Sequence, residues 1–302
     1  MQARPRRVGP LQEADITTAT LIGRLNGGVA IMADRVTEAL GNPDRLGVAF
    51  SGGVDSSVLL ALAARARGPA RTLAILGVSP SLARDERAAA HAVSAAIGVP
   101  LIELETHEGD NPDYRANGPD RCFHCKDELF TRISDEVANL HHLTAIAYGE
   151  NADDARRPDR PGSQAATNHR VLRPLADARL DKAAVREVAR ALGLSSADKP
   201  AAPGLASRIP HFQEVTPEKL RQVDVAESAV RALGFSDARV RHHGEVARLE
   251  LVVSELPHAV SDGVRERLLT AVRSAGFRFV SLDLAGIQSG AFTLPLVSRT
   301  DG

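Results

Sequence analysis

With 302 residues, 43% of them hydrophobic and 25% charged, the chain has the composition of a globular protein with room for one large domain and one small one. The formal net charge of -1 provides no overall basic field that would attract nucleic acid, and no apolar run approaches the roughly 20 residues that span a bilayer. We therefore expect a cytoplasmic protein that binds neither nucleic acid nor a membrane. Only two cysteines occur, which excludes a disulfide-stapled framework.

Four short apolar runs alternate with helical patterns in the first part of the chain. The runs LGVAF, TLAILGV, PLIEL and TAIAY occupy residues 46–50, 72–78, 100–104 and 144–148. Such alternation is typical of an α/β fold, a parallel sheet with helices on both faces. Apolar residues at helical spacing from Leu129 to Leu140 predict one of these helices. Ligands bind beyond the carboxyl ends of such strands, so segments 51–57, 77–81 and 149–154 are expected to line one crevice.

A serine- and glycine-rich turn follows the first strand. It reads SGGVDSS and leads into the apolar helix pattern VLLALAARA. Glycines let the backbone approach an anion, and the helix start and the hydroxyls supply donors. We therefore predict that the turn binds the phosphates of ATP through Ser51, Gly52, Gly53, Ser56 and Ser57. A Gly/Ser turn that only caps a helix is the alternative, and the spacing excludes a Walker A loop and a dinucleotide fingerprint.

Charged residues near this turn are candidates for metal and phosphate contacts. Asp55 is the only acid among the phosphate donors, and its carboxylate suits Mg²⁺ or its waters. The alternative is an acid that complements the dipole of the helix start. Lys182 and Arg186 begin a later helix pattern and are candidates for the phosphates, with solvated surface side chains as the alternative.

Both cysteines lie in the segment NPDYRANGPDRCFHCKDELF at residues 111–130. A C-x-x-C pair at a helix start beside Arg121 and Lys126 favours a lowered thiol pKa and a reactive thiolate. Cys122 and Cys125 are therefore predicted to be catalytic. Two thiols make only half of a tetrahedral metal site, and a structural or incidental pair is the alternative.

The character of the sequence changes near residue 200, in the Pro- and Ala-rich stretch KPAAPGLASRIPHF. A helix, two short strands around Gly244, a second helix and a last strand, RFVSLDL, follow it. This αββαβ order predicts a small α+β module. The expected organisation is a disordered leader at 1–20, a phosphate-binding domain at 21–200 and a substrate or oligomerisation domain at 201–302.

Together these motifs resemble those of the LarE-type ATP-dependent sulfur transferases, in the PP-loop ATP pyrophosphatase superfamily. The resemblance covers residues 46–251. The matching elements are SGGVDSS, the C-x-x-C segment, YGENADD, RPG at 160–162, RPLADARLDKAAVREVARALGL, DKPA, LASRIP and RVRHH. It implies an AMP-forming enzyme, with ATP and Mg²⁺ as cofactors, that adenylates the carboxylate of a small molecule before sulfur replaces AMP. It also implies a homo-oligomer.

The resemblance implies roles for particular residues. Val78 and Ser79 would hold the adenine, and Gly149, Asn151 and Lys182 belong to segments that resemble nucleotide-binding elements. Three arginines match positions that bind substrate phosphate, and two acids match positions that hold a metal near the substrate; ordinary surface pairing is the alternative for all five, Arg208, Arg239, Arg241, Glu227 and Glu250. Arg208 is also a candidate catalytic residue.

The resemblance breaks at Gly204. The sulfur-donating cysteine that it implies lies directly before the L-x-S-R element, where this chain has glycine. The three-cysteine iron–sulfur site implied for other members is incomplete for the same reason. Sulfur is then expected from a persulfide or an iron–sulfur cluster at Cys122 and Cys125, or from an external donor such as a sulfur donor protein. An amide ligase that uses the same adenylate, and a nucleotide-binding protein that has lost its activity, are the alternatives.

Overall fold

A computed structural model describes residues 25–156, 162–288 and 292. The predicted leader at 1–20 lies outside the described residues, as do Arg160 and Pro161 of the RPG motif. The described residues form two sheets, which are taken in turn below.

The first sheet has four parallel strands in the spatial order β3-β2-β1-β4. The strands are β1 (Leu46–Ala49), β2 (Thr72–Val78), β3 (Leu101–Glu105) and β4 (Ala145–Tyr148). Because β1 pairs in parallel with both β2 and β4, the serine- and glycine-rich turn leaves the sheet at its centre. The predicted α/β fold with a parallel sheet is confirmed.

Helices cover both faces of this sheet. They are α1 (Gly27–Leu40), α2 (Val54–Arg67), α3 (Arg84–Ile97), α4 (Pro112–Arg115), α5 (Arg121–Arg132), α6 (Ala152–Arg156), α7 (Gly162–Asn168), α8 (Pro174–Asp177) and α9 (Lys182–Ala191). Successive residues of a strand point to opposite faces. Accordingly, Ala74 and Leu76 of β2 belong to one apolar cluster, while Leu73 and Ile75 belong to another.

The helix predicted to run through Leu140 changes from α-helical to π-helical geometry before that residue. After α5 the chain forms a π-helical turn, Ile133–Ala138, in which Ile133 and Val137 stay buried. A π turn is wider than an α turn, so it shifts the residues after it out of the original helical register. Leu140 is consequently 74% exposed instead of buried.

The second sheet lies in the C-terminal part of the chain and has the order β5-β6-β7. Its elements are α10 (Pro217–Ala232), β5 (Ala238–His243), β6 (Val246–Leu251), the one-turn helix α11 (Leu256–Ala259), α12 (Val264–Ser274) and β7 (Phe279–Leu282). β5 and β6 are antiparallel, β6 and β7 parallel. This is the predicted α+β module, and its residues make up most of a separate apolar cluster that Ala83 and Tyr114 also join. The boundary at residue 200 stays a prediction.

The C-terminal module contacts the start of α3. Arg84 Nε lies 2.7 Å from Asp224 Oδ2, and Arg231 Nε lies 2.9 Å from Asp85 Oδ2. Ala83, directly before α3, belongs to the apolar cluster of the module. Partly exposed ion pairs contribute little each, but together with Ala83 they place the module beside the carboxyl end of β2.

Candidate active site

The turn SGGVDSS folds around its own hydroxyl groups. Ser56 Oγ and Ser57 Oγ both donate to the carbonyl oxygen of Gly53, at 3.1 Å and 2.8 Å, and the N–H of Ser51 donates to Ser56 Oγ at 3.3 Å. Gly53 is the N-cap of α2, and no described side chain caps this helix. The first N–H groups of a helix have no partner within it, so the turn can offer them to an anion.

Two glycines allow the backbone segments of the site to approach one another. Gly52 has φ +72, and a Cβ there would lie 2.8 Å from Cα of Ala90. A Cβ at Gly149 would lie 2.7 Å from the backbone nitrogen of Ser56 and 2.8 Å from the carbonyl carbon of Asp55. Both distances are too short for any side chain, so the sequence needs glycine at these positions.

Asp55 of the turn meets two residues from other segments of the chain. Lys182 Nζ lies 2.5 Å from Asp55 Oδ2, and Asn151 Nδ2 donates to Asp55 Oδ1 at 3.1 Å. Asn151 also donates to Asp154 Oδ2 at 3.1 Å. Arg186 does not join them, because its guanidinium donates to the carbonyl oxygens of residues 197 and 199.

A cavity of about 350 Å³, here called the first cavity, lies beyond the carboxyl ends of the strands. The turn, the ends of β2, β3 and β4, helix α5 and Gly204 contribute to its lining. Ser79 lines it, but Val78 is not among the lining residues, and the Val78 carbonyl accepts the N–H of Thr106 at 3.0 Å. The adenine contacts of both residues stay predictions.

Two buried acids in the first cavity were missed by the sequence reasoning. Ser79 Oγ donates to Glu108 Oε1 at 2.5 Å, while Glu108 Oε2 is buried without a hydrogen-bond partner in the described part of the chain. Glu150 Oε2 is likewise buried without a hydrogen-bond partner in the described part of the chain, and it lies 3.8 Å from Arg173 Nη1. Both acids lie just beyond a strand of the parallel sheet, and that position was the available signal.

The two cysteines have different surroundings. Cys125 lines the first cavity, whereas Cys122 is exposed and is not among the described residues that line it. Burial, followed by the charge of Glu108, raises the pKa of the Cys125 thiol to about 12. The expectation of a lowered pKa is wrong for Cys125, because these two causes outweigh the cations at Arg121 and Lys126.

The residues of the site fit the predicted Mg²⁺ but not the predicted iron–sulfur cluster. Within residues 25–156, 162–288 and 292, no group of three or more His, Cys, Asp or Glu side chains could hold a metal ion. An iron–sulfur cluster at Cys122 and Cys125 therefore has no ligand set there. Mg²⁺ is commonly bound by one or two carboxylates together with substrate phosphates, and Asp55 can supply such a ligand.

A second cavity, of about 160 Å³, adjoins the first. The two share Ser51, Leu82 and Gly204 in their linings. The second cavity also contacts charged residues of the C-terminal module, namely Arg208, Glu227, Arg231, Asp237 and Arg239. Gly204 and Ser51 thus lie between a predicted phosphate site and a group of arginines.

Two buried ion pairs lie in the C-terminal part of the described chain, and one of them, Arg208 with Glu227, lines the second cavity. Arg208 makes two contacts with Glu227, at 2.8 Å and 3.2 Å, and Arg241 makes two with Glu250, at 2.9 Å and 2.7 Å. All four side chains are buried, so ordinary surface pairing is wrong for them. Both carboxylates are already engaged by guanidinium groups, and their metal role stays a prediction.

Arg239 differs from Arg208 and Arg241 in its hydrogen-bond partners. It is buried, yet it donates only to backbone carbonyls, those of Ala201 at 2.7 Å and Gln288 at 3.1 Å, and it forms no ion pair with any residue that the structure describes. Burial lowers the pKa of its guanidinium, and the charges of Arg208 and Arg241 lower it further. An arginine keeps its proton despite such shifts, so its charge is available to an anionic ligand in the second cavity.

Comparison with known proteins agrees with this geometry. The asparagine synthase family matches residues 31–152. An uncharacterized protein of Synechocystis sp. is 38% identical over 257 residues, 85% of this chain and 95% of that protein. The pyridinium-3,5-bisthiocarboxylic acid mononucleotide synthase of Lactiplantibacillus plantarum is 31% identical over 252 residues, 83% of this chain and 90% of that enzyme.

The chain belongs to the LarE-type family. The match to the synthase extends over most of both chains, which supports an ATP-using enzyme and ATP-dependent sulfur transfer in general terms. A more distant relative, an uncharacterized protein of Methanocaldococcus jannaschii, is 24% identical over 78% of this chain and 88% of that protein. None of the described helices of this LarE-type protein is long and apolar enough to cross a membrane.

Proposed function

We propose that this protein is an AMP-forming, ATP-dependent sulfur transferase that adenylates the carboxylate of a small molecule and then replaces AMP with sulfur. The observation that carries the proposal is the junction of the two cavities at Ser51 and Gly204. A turn suited to phosphate lies on one side of this junction and buried arginines on the other. ATP in the first cavity and an anionic acceptor in the second would therefore meet there.

The first cavity performs the nucleotide part of this reaction. The N–H groups of the turn and the Ser51 hydroxyl would hold the pyrophosphate portion of ATP, with Asp55 beside them as a ligand for Mg²⁺. Mg²⁺ held by Asp55 would supply positive charge to the phosphate oxygens. Lys182, held by Asp55 at 2.5 Å, adds positive charge where the leaving pyrophosphate develops its negative charge.

The second cavity binds and orients the acceptor. Arg239 supplies a buried charge without a carboxylate partner among the described residues, and Arg208 lines the same space. Guanidinium groups bind phosphate well, so a carboxylate substrate that also carries a phosphate suits this cavity. The relative from Lactiplantibacillus is named for a pyridinium bisthiocarboxylic acid mononucleotide. We take the corresponding pyridinium-3,5-dicarboxylic acid mononucleotide as the substrate to test.

The reaction has two bond exchanges. A carboxylate oxygen attacks the α-phosphorus of ATP, a new P–O bond forms and the bond to pyrophosphate breaks. A sulfur nucleophile then attacks the acyl carbon, a C–S bond forms and the C–O bond to AMP breaks. The Cys122/Cys125 pair, carrying a persulfide, and an external donor, including a sulfur donor protein, are the two proposed sources of this sulfur.

Isotope exchange between pyrophosphate and ATP tests the adenylation step. Full-length protein with Mg²⁺, ATP and the dicarboxylic acid mononucleotide is expected to exchange label, and the exchange should require the carboxylate. Mass analysis of the product with sulfide or ammonium as nucleophile separates sulfur transfer from amide ligation. Absence of exchange across a broad panel of carboxylates would instead favour a nucleotide-binding protein without activity.

We also propose a two-domain organisation, with residues 21–200 and 201–302 as the units, and a homo-oligomer. Limited proteolysis should cut first in the Pro- and Ala-rich stretch near residue 200 if the boundary is right. Sedimentation of the full chain measures the oligomeric state, and a monomer at micromolar concentration would contradict the second proposal.

A further inference from the structure

We infer that the sulfur atom comes from a small diffusible sulfide, the hydrosulfide anion, which reaches the adenylate through the space beside Gly204, and not from Cys122 or Cys125. The inference rests on the proposed function, because it concerns the second of its two bond exchanges. Three features of the structure lead to it, namely the space at Gly204, the positions of the thiols and the charges of the second cavity, together with the balance of the reaction.

Gly204 leaves room where the two cavities meet. It lines both of them, and its backbone has φ -51 and ψ 156, a conformation that any residue adopts. A Cβ there would have one described atom within 4 Å, the carbonyl oxygen of Ser81 at 3.3 Å. The backbone therefore does not need glycine at this position. The effect of the missing side chain is an opening that a small nucleophile can enter.

Neither thiol is well placed to attack at this junction. Cys122 is exposed and is not among the described lining residues of either cavity. Cys125 lines the first cavity alone and is half-buried beside Glu108. Only the thiolate is strongly nucleophilic, and burial together with Glu108 holds Cys125 as a protonated thiol at neutral pH.

Arg239 is the feature of the second cavity that suits a small anion. Arg208 and Arg231 each face a carboxylate, Glu227 and Asp85, and the acids Glu86 and Asp237 also line the cavity and reduce its positive field. Arg239 alone among the three lining arginines has only backbone partners in the described chain, and a buried positive charge without a carboxylate partner attracts anions. The acceptor phosphate would take part of this field, and the hydrosulfide anion is small enough to share it.

The external route balances without another reagent. Hydrosulfide attacks the acyl carbon, the C–S bond forms, and the C–O bond breaks with its electron pair leaving on AMP. The thiocarboxylic acid then loses its proton. Nothing is oxidised or reduced, whereas a persulfide route leaves a Cys122–Cys125 disulfide that a dithiol must reduce in every turnover. The reaction that supplies this enzyme must accordingly be one that releases inorganic sulfide from a thiol or a persulfide.

A single-turnover experiment with isotopically labelled sodium sulfide tests the source of the sulfur. Full-length protein is used in excess over pyridinium-3,5-dicarboxylic acid mononucleotide, with Mg²⁺ and ATP and without any donor protein. We expect every product sulfur to be labelled and the mass of the protein to stay unchanged. Unlabelled sulfur in the product, a Cys122–Cys125 disulfide, or a requirement for a persulfide-bearing protein would overturn the inference.

Two further readouts keep this inference separate from the proposed function. Lack of pyrophosphate release means that the proposed function itself has failed; pyrophosphate release without labelled product refutes only the sulfide step. Equal or better capture of ammonium, giving an amide, likewise refutes that step.

Substitutions that fill the opening provide an independent test. Gly204→Ala and Gly204→Val add increasing volume at a backbone that accepts both residues. The KM for sulfide should rise with volume, by roughly tenfold for valine, relative to the rate of pyrophosphate exchange measured on the same preparation. Sulfide KM values equal to that of the wild type in both variants would show that sulfide does not pass this position.

Discussion

The two cavities use different means to bind anions. In the first, the donors are backbone N–H groups and the short hydroxyl of Ser51, brought together by glycines, while the hydroxyls of Ser56 and Ser57 donate to the carbonyl oxygen of Gly53 and shape the turn. In the second, they are long guanidinium side chains held by buried carboxylates or, at Arg239, by carbonyl oxygens. The first design depends on the path of the backbone, the second on pairing between charged side chains.

This difference has consequences for substitution. A backbone cradle is damaged where an added side chain meets neighbouring backbone, as it would at Gly52 and Gly149. In a buried ion pair, by contrast, the removal of one member leaves an uncompensated charge. The following predictions test this contrast, from the largest expected effect to the smallest.

Arg241→Met should destabilise the protein by about 3–5 kcal/mol, because the fully buried Glu250 would lose the guanidinium that contacts both of its oxygens and keep only Arg248, 3.4 Å away. Arg239→Met breaks no ion pair in the described chain and should cost clearly less stability, while raising the KM for the acceptor. Urea denaturation measures the first effect. Partial recovery in Arg241→Met/Glu250→Leu is the control, and equal stability of the two single variants would contradict the prediction.

Asp55→Asn should lower the rate of pyrophosphate exchange roughly 100-fold, or about 2.7 kcal/mol, because a ligand for Mg²⁺ and the partner of Lys182 are lost together. Lys182→Met is the matched control: it breaks the same pair but keeps the carboxylate. The measurement is the exchange rate as a function of Mg²⁺ concentration. Only Asp55→Asn should require more Mg²⁺, and an unchanged requirement would argue against a metal role for Asp55.

Gly52→Ala should reduce the free energy of unfolding by about 1–3 kcal/mol, since a Cβ there meets the backbone of α3 and φ is +72. Gly53→Ala is the matched neighbour. Its Cβ would meet only Ser51 Oγ, at 3.4 Å, among the described atoms, and its cost should stay under about 1 kcal/mol. Chemical denaturation of both variants checks this, and similar losses would show that the close approach to α3 does not matter.

The ionisation of the Cys125 thiol should have the smallest effect on the free energy of unfolding at neutral pH. Burial raises its pKa from the ordinary 9.0 to about 12, so the unfolded chain loses this proton first as the pH rises. Its contribution to the free energy of unfolding is thus complete below pH 9.0 and is lost as the pH approaches 12. Iodoacetamide with peptide mapping at neutral pH should modify Cys122 before Cys125, and preferential labelling of Cys125 would contradict this assignment.

Much of the parallel sheet and of the first cavity could be predicted from the sequence. The strands, the glycine turn and the meeting of Asp55 with Asn151 follow from rules that act locally or through topology, since parallel strands bring their carboxyl ends to one edge. Lys182 begins a helix and follows no strand of the sheet, so its contact with Asp55 does not follow from this rule. Comparison with the family motifs identified Gly204 as the position where the chain departs from them. The same motifs predicted an adenine contact for Val78, which is not among the lining residues of the first cavity.

The sequence by itself determined the parallel sheet and its phosphate-binding turn, because apolar alternation and glycine conformation are properties of short segments. Only the tertiary structure decided the state of the charged and nucleophilic groups. Burial and Glu108, from a neighbouring strand end, reverse the expected shift at Cys125, and the partners of Arg208 and Arg239 lie on other segments. The physical reason is that a pKa and a partner depend on desolvation and on distances in space, which residues far apart in the chain create together.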